Sequence, residues 1–351
     1  MKSHDIVDWG RPLQARMRET PTPQGTQVLM AITHCGVCHT DLHIRDGYYD
    51  LGAGKKLTLA ERGYGLPITL GHEPVGIVAA IGDQVHDIEV GRRCLINPWI
   101  GCGHCRMCLA DRDNLCQNMR SIGMGAWGGF ATHLLLPSPK YLVDIEGLSS
   151  AKAAPLACSG LTSYSAIKKL LPIDPADWVA VIGCGGLGLM ALAVLRGLGH
   201  QRVIACDIDE TKLAAARRTD VAATCNLRND GIAQLNAISG GALYGMLDFV
   251  GSTETFALAA PSLRKGGRFV LCGLFGGAAN VSPALIAIRE LSILGSVVGN
   301  TADLAELVEM VKQGRIEVPE VECRPLETVN ASLEDLAAGR VVGRVVLEVG
   351  S

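Results

Sequence analysis

The sequence contains no run of lysines or arginines, and only 19% of its 351 residues are charged. With a formal net charge of −3, it carries no electrostatic footprint for a phosphate backbone or an anionic membrane surface. Neither nucleic acid nor a membrane is therefore an expected partner. The N-terminus, MKSHDIVDWGRP, lacks the basic stretch followed by an apolar one that marks a secretory signal or transit peptide, so the cytoplasm is the expected location. Internal repeats and low-complexity tracts are also missing, and with 48% apolar residues the composition is not that of a disordered chain. One uncharged run, Trp178 to Leu195, reaches membrane-span length, but glycines at 183, 185, 186 and 188 interrupt it. That pattern suits a strand, a tight turn and a helix rather than a continuous span.

A chain of this length is more than one typical core requires, and two domains are expected. Up to about residue 155, short β-rich runs (TQVLMAI, EPVGIVAAIG, RRCLIN, ATHLLLP) are broken by Gly and Pro, which reads as a mostly β domain over 1–157. From there to 295 the rhythm becomes strand then helix: WVAVIG with LGLMALAVLRGLG, RVIACD with ETKLAAARR, MLDFVG with TETFALAAPSLR, RFVLCG with SPALIAIRE and LSILGS. Such alternation predicts an α/β fold with a doubly wound parallel sheet. Residues 296–351 hold a helix, ADLAELVEMVKQG, and a strand pair ending in GRVVLEV, expected to return to the first domain.

Gly183-Cys-Gly185-Gly186-Leu187-Gly188 lies between the apolar run VAVI and the apolar helix that follows. In that setting G-x-G-x-x-G is a dinucleotide fingerprint: the first glycine permits the turn, the second lets backbone N–H groups approach a pyrophosphate, and the third lets helix and strand pack closely. The helix N-terminus adds the positive end of its dipole. An acidic residue ending the next strand should bind the adenosine ribose, and RVIACDIDE offers Asp207 and Asp209. Asp207 ends the strand, whereas Asp209 stands where the next helix needs an N-cap. A carboxylate at 207 beside the uncharged Ile208 would repel a 2′-phosphate, which favours NAD over NADP.

Thirteen cysteines without a secretion signal are better explained by metal than by disulfides. Cys35, Cys94, Cys184, Cys206, Cys225, Cys272 and Cys323 read as small core residues. Cys102, Cys105, Cys108 and Cys116 form C-x2-C-x2-C-x7-C, the four sulfurs of a closed structural zinc in a lobe spanning about 97–118, leaving His104 as a solvated loop residue. A zinc knuckle for nucleic acid is disfavoured by Asp111 and Asp113 and by the lack of interleaved basic and aromatic residues. An iron–sulfur site is disfavoured by the context of the fourth cysteine. A catalytic zinc takes three protein ligands and an open position. Cys35-x-x-Cys38, His72-Glu73 and Cys158 supply candidates, but spacing alone does not choose among them.

In their order along the chain, GVCHTDLH, GHE, the four-cysteine lobe, the cysteine of PLACSG and GxGGxG resemble the zinc-dependent medium-chain alcohol dehydrogenases through nearly the whole chain. The resemblance implies a GroES-like first domain and a Rossmann domain. It also implies NAD-dependent oxidation of a primary or secondary alcohol to an aldehyde or ketone, with two zincs per chain. By position, Cys38, His72 and Cys158 become the catalytic zinc ligands, a set for which alcohol dehydrogenase is a standard example. Glu73 becomes a transient or neighbouring ligand, Asp41 the carboxylate that orients His72, and Cys35 a bystander.

Zinc would acidify the alcohol so that an alkoxide forms, and Thr40 and His43 would relay its proton. His39, Thr162, Lys212 and Arg344 would touch the cofactor, and Trp99 would wall the substrate pocket. A solvated surface position is the alternative for Thr162, Lys212 and Arg344, and a core position for Trp99. A polyol or amino-alcohol dehydrogenase of the same superfamily is the rival enzyme, and a non-catalytic zinc protein the rival outside catalysis. The family also implies a homo-oligomer, a tetramer or else a dimer. The segment 47–67 is longer than in many relatives, which leaves the physiological substrate open.

Overall fold

In the computed structural model, which describes residues 1–124 and 127–350, the chain builds two large sheets, of seven and six strands, and three small ones, with the cleft residues gathered between the two large sheets. The first sheet begins with β1 (Val28–Gly36), which leads into α1 (His39–Asp46). A hairpin of β2 (Tyr48–Gly52) and β3 (Lys55–Thr58) follows, and then β4 (Glu73–Ile81), β5 (Arg93–Ile96), β6 (His133–Leu136) and β7 (Leu142–Asp144). β1 and β4 pair antiparallel along their lengths, so Cys35 and Gly36 lie opposite Pro74 and Glu73. This register brings the end of β1, from which Cys38 follows, beside the start of β4, which His72 precedes.

After α2 (Ser159–Lys168) come β8 (Trp178–Ile182), α3 (Gly186–Gly197), β9 (Val203–Asp207), α4 (Glu210–Arg217), β10 (Ala223–Asn226), β11 (Leu243–Asp248), β12 (Arg268–Leu271), α5 (Pro283–Arg289) and β13 (Ser292–Gly295). The six strands are all parallel, in the order β10-β9-β8-β11-β12-β13. The direction of winding reverses between β8 and β11, and it is beyond the carboxyl ends of the strands at such a point that ligands of open α/β sheets bind. VIACD and WVAVI are almost wholly buried, as strands covered by helices on both faces must be.

Beyond β13, α6 (Thr301–Lys312), β14 (Val321–Pro325), α7 (Val329–Ala337) and β15 (Arg344–Glu348) complete the chain. The last strands rejoin the first sheet, giving β7-β5-β4-β1-β15-β14, with β6 also on β1. The strand pair expected here is parallel and spans α7, which the sequence reading did not resolve. TETFALAAPSLR, expected as one helix, is two short ones, Thr253–Ala257 and Ala259–Ser262. Pro261 has no N–H with which to continue the ladder. Of the seven cysteines read as core, five are buried, but Cys272 is half-buried and Cys323 is exposed on the edge strand β14. An apolar flanking sequence does not reveal that a strand lies at a sheet edge. Among the described residues no helix is long and apolar enough to cross a membrane.

Candidate active site

Cys38 is the N-cap of α1, and its backbone N–H donates to Asp41 Oδ2 at 2.9 Å, so the first turn is closed by the aspartate three residues on. The other oxygen of Asp41 accepts from Gly71 N at 3.3 Å and meets His72 Nδ1 at 3.1 Å. One buried carboxylate thus caps the helix and fixes the ring of His72, leaving Nε2 directed away from it. That Nε2 is buried and has no hydrogen-bond partner.

The ligand atoms of Cys38, His72, Glu73 and Cys158 all lie within 4.8 Å of one another, and all four residues are buried. The Cys38 and Cys158 sulfurs are 3.9 Å apart, and their hydrogen bond pulls the Cys38 thiol well below its usual pKa while pushing Cys158 well above. Burial opposes charge on His72, but Asp41 and Cys38 together outweigh it and raise the ring to about 10. Two sulfurs, an orphaned imidazole nitrogen and a carboxylate converging in a buried pocket are a donor set suited to a divalent zinc ion. Arg344, expected from the family resemblance to touch the cofactor, forms a buried ion pair with Glu73. Its side chain also borders the cleft, against Gly186.

Cys35 stands apart. It is fully buried in the core of the first sheet, its sulfur faces Gly71 and Gly129, and burial raises its pKa well above the usual value. In the lobe, Cys102, Cys105, Cys108 and Cys116 form a second cluster of four ligand atoms, with Cys108 Sγ 3.9 Å from Cys102 Sγ and 3.6 Å from Cys105 Sγ. His104 is exposed and turned to the Cys102 carbonyl. Four sulfurs with no remaining position fit a structural zinc.

A cleft of about 870 Å³ runs from Cys38, Thr40, His43, Trp99 and Cys158 past the glycine turn to Asp207 and Lys212. His39 and Thr162 border it as well. The glycines have separate tasks. A Cβ on Gly188 would stand 1.8 Å from the Gly183 carbonyl oxygen, so α3 can pack on β8 only without one. A Cβ on Gly185, the N-cap of α3, would meet nothing within 4 Å, leaving room for a pyrophosphate to reach the backbone. Asp207 accepts N–H bonds from Cys184 at 2.7 Å, Ile208 at 2.8 Å and Asp209 at 3.0 Å, so it also ties the glycine turn to the end of β9. Asp209 caps α4 by accepting from Thr211 N at 2.8 Å.

Two segments of the chain match family models: residues 24–147 the alcohol dehydrogenase GroES-like domain, and residues 186–313 the zinc-binding dehydrogenase domain. An NAD-dependent alcohol dehydrogenase of Sulfurisphaera tokodaii is 33% identical over 99% of both chains. This chain belongs to the zinc-binding medium-chain alcohol dehydrogenases. An alcohol dehydrogenase of Geobacillus stearothermophilus is likewise 33% identical, over 99% of this chain and all of its own. The crystal structure of the alcohol dehydrogenase from Aeropyrum pernix superposes with a TM-score of 0.89, at 33% identity, covering 99% of this chain and 100% of that one.

Within this family member, Asp248 is a residue the sequence reading missed. It is buried at the end of β11, and its carboxylate accepts from Val250 N at 2.9 Å, Gly251 N at 3.0 Å and the Thr255 hydroxyl at 2.8 Å. Its carbonyl accepts from Cys272 and Gly273, so it shapes two of the loops that border the cleft. Burial raises its pKa. The available signal was its place at the end of MLD before FVGST, matching that of Asp207 two strands earlier.

Proposed function

We propose that this enzyme oxidises a primary or secondary alcohol to an aldehyde or ketone, reversibly, using NAD and a zinc ion held by Cys38, His72 and Cys158 with Glu73 in reserve. The carrying observation is that one cleft joins this buried donor group to a glycine turn and Asp207. Relatives named NAD-dependent alcohol dehydrogenase, alike over 99% of their length, support it. When bound, zinc supplies a Lewis acid that acidifies an alcohol hydroxyl, and NAD supplies the hydride acceptor.

The chain's own residues do the rest. Thr40, whose hydroxyl lies 3.8 Å from the Cys38 sulfur, takes the alcohol's proton. His43, three residues on and therefore on the same face of α1, passes it to solvent. Trp99, its ring 5.9 Å from that of His72, walls the reacting end against water. His39, Thr162, Gly183, Gly185, Gly186, Leu187, Gly188, Asp207 and Lys212 line the cofactor's side of the cleft, with Arg344 shared between it and Glu73. The second zinc belongs to the cysteine lobe. Division at 157/158 and 295/296 follows the two sheets.

Self-association through the edge strand β13 would shield Ile288, Ile293 and Val297, which are exposed, and pair two chains; a tetramer, which needs a second interface, or else this dimer is the proposed assembly. The cytoplasm remains the proposed location.

A substrate panel with NAD, combined with metal analysis, tests the reading. Two zincs per chain are expected, one of them exchangeable with loss of NAD-linked oxidation of simple alcohols. Activity confined to polyols or threonine would move the enzyme to the rival substrate class, and a single inert zinc without oxidation would end the enzymatic reading.

The proton relay makes a separate prediction. Burial lowers the pKa of His43 against the opposing pull of Cys38 and Asp46. The accepting, neutral ring therefore persists below pH 6.5, so the acid limb of oxidation due to this group should fall below that pH. In His43→Gln the limb should vanish and oxidation should drop roughly 100-fold, as read from kcat/KM between pH 5 and 8. An unchanged profile would remove His43 from the relay.

A further inference from the structure

The long segment between His43 and His72 plays no part in the reaction described so far. Its hairpin touches both sides of the cleft. At one end of β2 the Tyr49 ring lies against His43, with centroids 5.2 Å apart and planes at 36°. At the other end β2 meets the loop after β12, which belongs to the parallel sheet. A Cβ on Gly52 would stand 2.2 Å from the Gly277 carbonyl carbon and 2.4 Å from its oxygen. A Cβ on Gly276 would stand 2.8 Å from that of Asp50. Backbone here meets backbone, which only glycines allow.

That loop is itself part of the cleft. Cys272, Gly273, Leu274 and Phe275 line it. Gly276 bridges to Ser252, and the Thr253 hydroxyl donates to the Ala278 carbonyl at 3.1 Å. Among the described residues none of 48–58 borders the cleft directly. The hairpin stands behind its walls.

We propose that the hairpin is a brace between the two domains, in which Gly52 seats the loop 272–277, whose first four residues line the cleft, while Tyr49 seats His43. It acts through other residues and is a positioning element, one that makes cofactor affinity depend on a strand of the opposite domain. The proposal rests on the reading that the cleft takes NAD.

Gly52 and Gly54 provide their own control. Both have left-handed backbones, with φ of 79° and 74°, so alanine strains each alike. Only Gly52 faces the other domain, since a Cβ on Gly54 meets nothing within 4 Å. Gly52→Ala should raise the NADH Kd and the NAD KM roughly tenfold or more while zinc content stays at the wild-type value. Gly54→Ala should leave both constants at the wild-type value. Equal NADH affinity in the two variants would overturn the brace.

Should Gly52→Ala fail to fold, Tyr49 carries the test. Tyr49→Ala should lower kcat roughly tenfold, and Tyr49→Phe should restore it, because the ring makes the contact. Wild-type kcat in Tyr49→Ala would overturn the proposal. Wild-type protein that binds no NADH would instead overturn the cofactor reading, and the brace with it.

Discussion

Cys38→Ser is expected to lose the catalytic zinc and with it alcohol oxidation on the order of a thousandfold or more, the several kcal/mol that a Lewis acid supplies to the reacting oxygen. Cys35→Ser, three residues away, is expected to keep both. The Cys38 sulfur lies 3.9 Å from that of Cys158, in a group with His72 and Glu73, whereas the Cys35 sulfur faces Gly71 and Gly129 in an apolar core. Serine at 35 buries a hydroxyl and should cost about 1–3 kcal/mol of stability, a loss seen in thermal unfolding but not in metal content. Zinc analysis and turnover on both variants check the assignment. Loss of a zinc from the Cys35 variant alone would show that the wrong sulfur has been chosen.

Gly188→Ala is the second large effect. Its Cβ would meet the Gly183 carbonyl oxygen at 1.8 Å, and neither atom can yield without moving α3 or the turn. The expected outcome is a loss of at least about 1–3 kcal/mol of folding stability, together with loss of measurable NADH binding. Gly185→Ala falls on extended backbone with a negative φ of −79° that any residue adopts, and has open space around the added methyl, so its melting temperature should stay near wild type. That methyl would still occupy the approach of the pyrophosphate, so NADH affinity should fall without loss of stability. Two alanines three residues apart would thus separate packing from binding. Equal melting temperatures in the two variants would contradict the close packing at Gly188.

Much of this arrangement was legible in the residues. The switch from short β-rich runs to strand-then-helix alternation predicted two architectures, because burial on one face and burial on both leave different periodicities. The glycine spacing predicted the turn after β8, and the four close cysteines predicted the lobe, since in both cases the partners are near neighbours in sequence. Asp209 was readable as a cap for the same reason.

The choice among the candidate metal ligands was of another kind. Cys38, His72 and Cys158 are separated by 34 and 86 residues, and spacing at such distances carries no geometry. They meet because β1 pairs antiparallel with β4 and because the turn at 154–157, just before Cys158, packs against both strands while α2, which Cys158 precedes, packs on α3. Family resemblance had selected these residues, but the physical reason is that register and that packing.

The pairing of Arg344 with Glu73 has the same origin, since β15 returns from the end of the chain to lie beside β1. So does the contact of Gly52 with Gly277, which joins residues more than two hundred positions apart across two sheets. Short-range chemistry such as turns, caps and clustered thiols is written into neighbouring residues, because their spacing constrains their geometry directly. Which sulfur faces the cleft, and which carboxylate meets which guanidinium, depends on how strands paired over long separations orient their side chains. No local pattern encodes that.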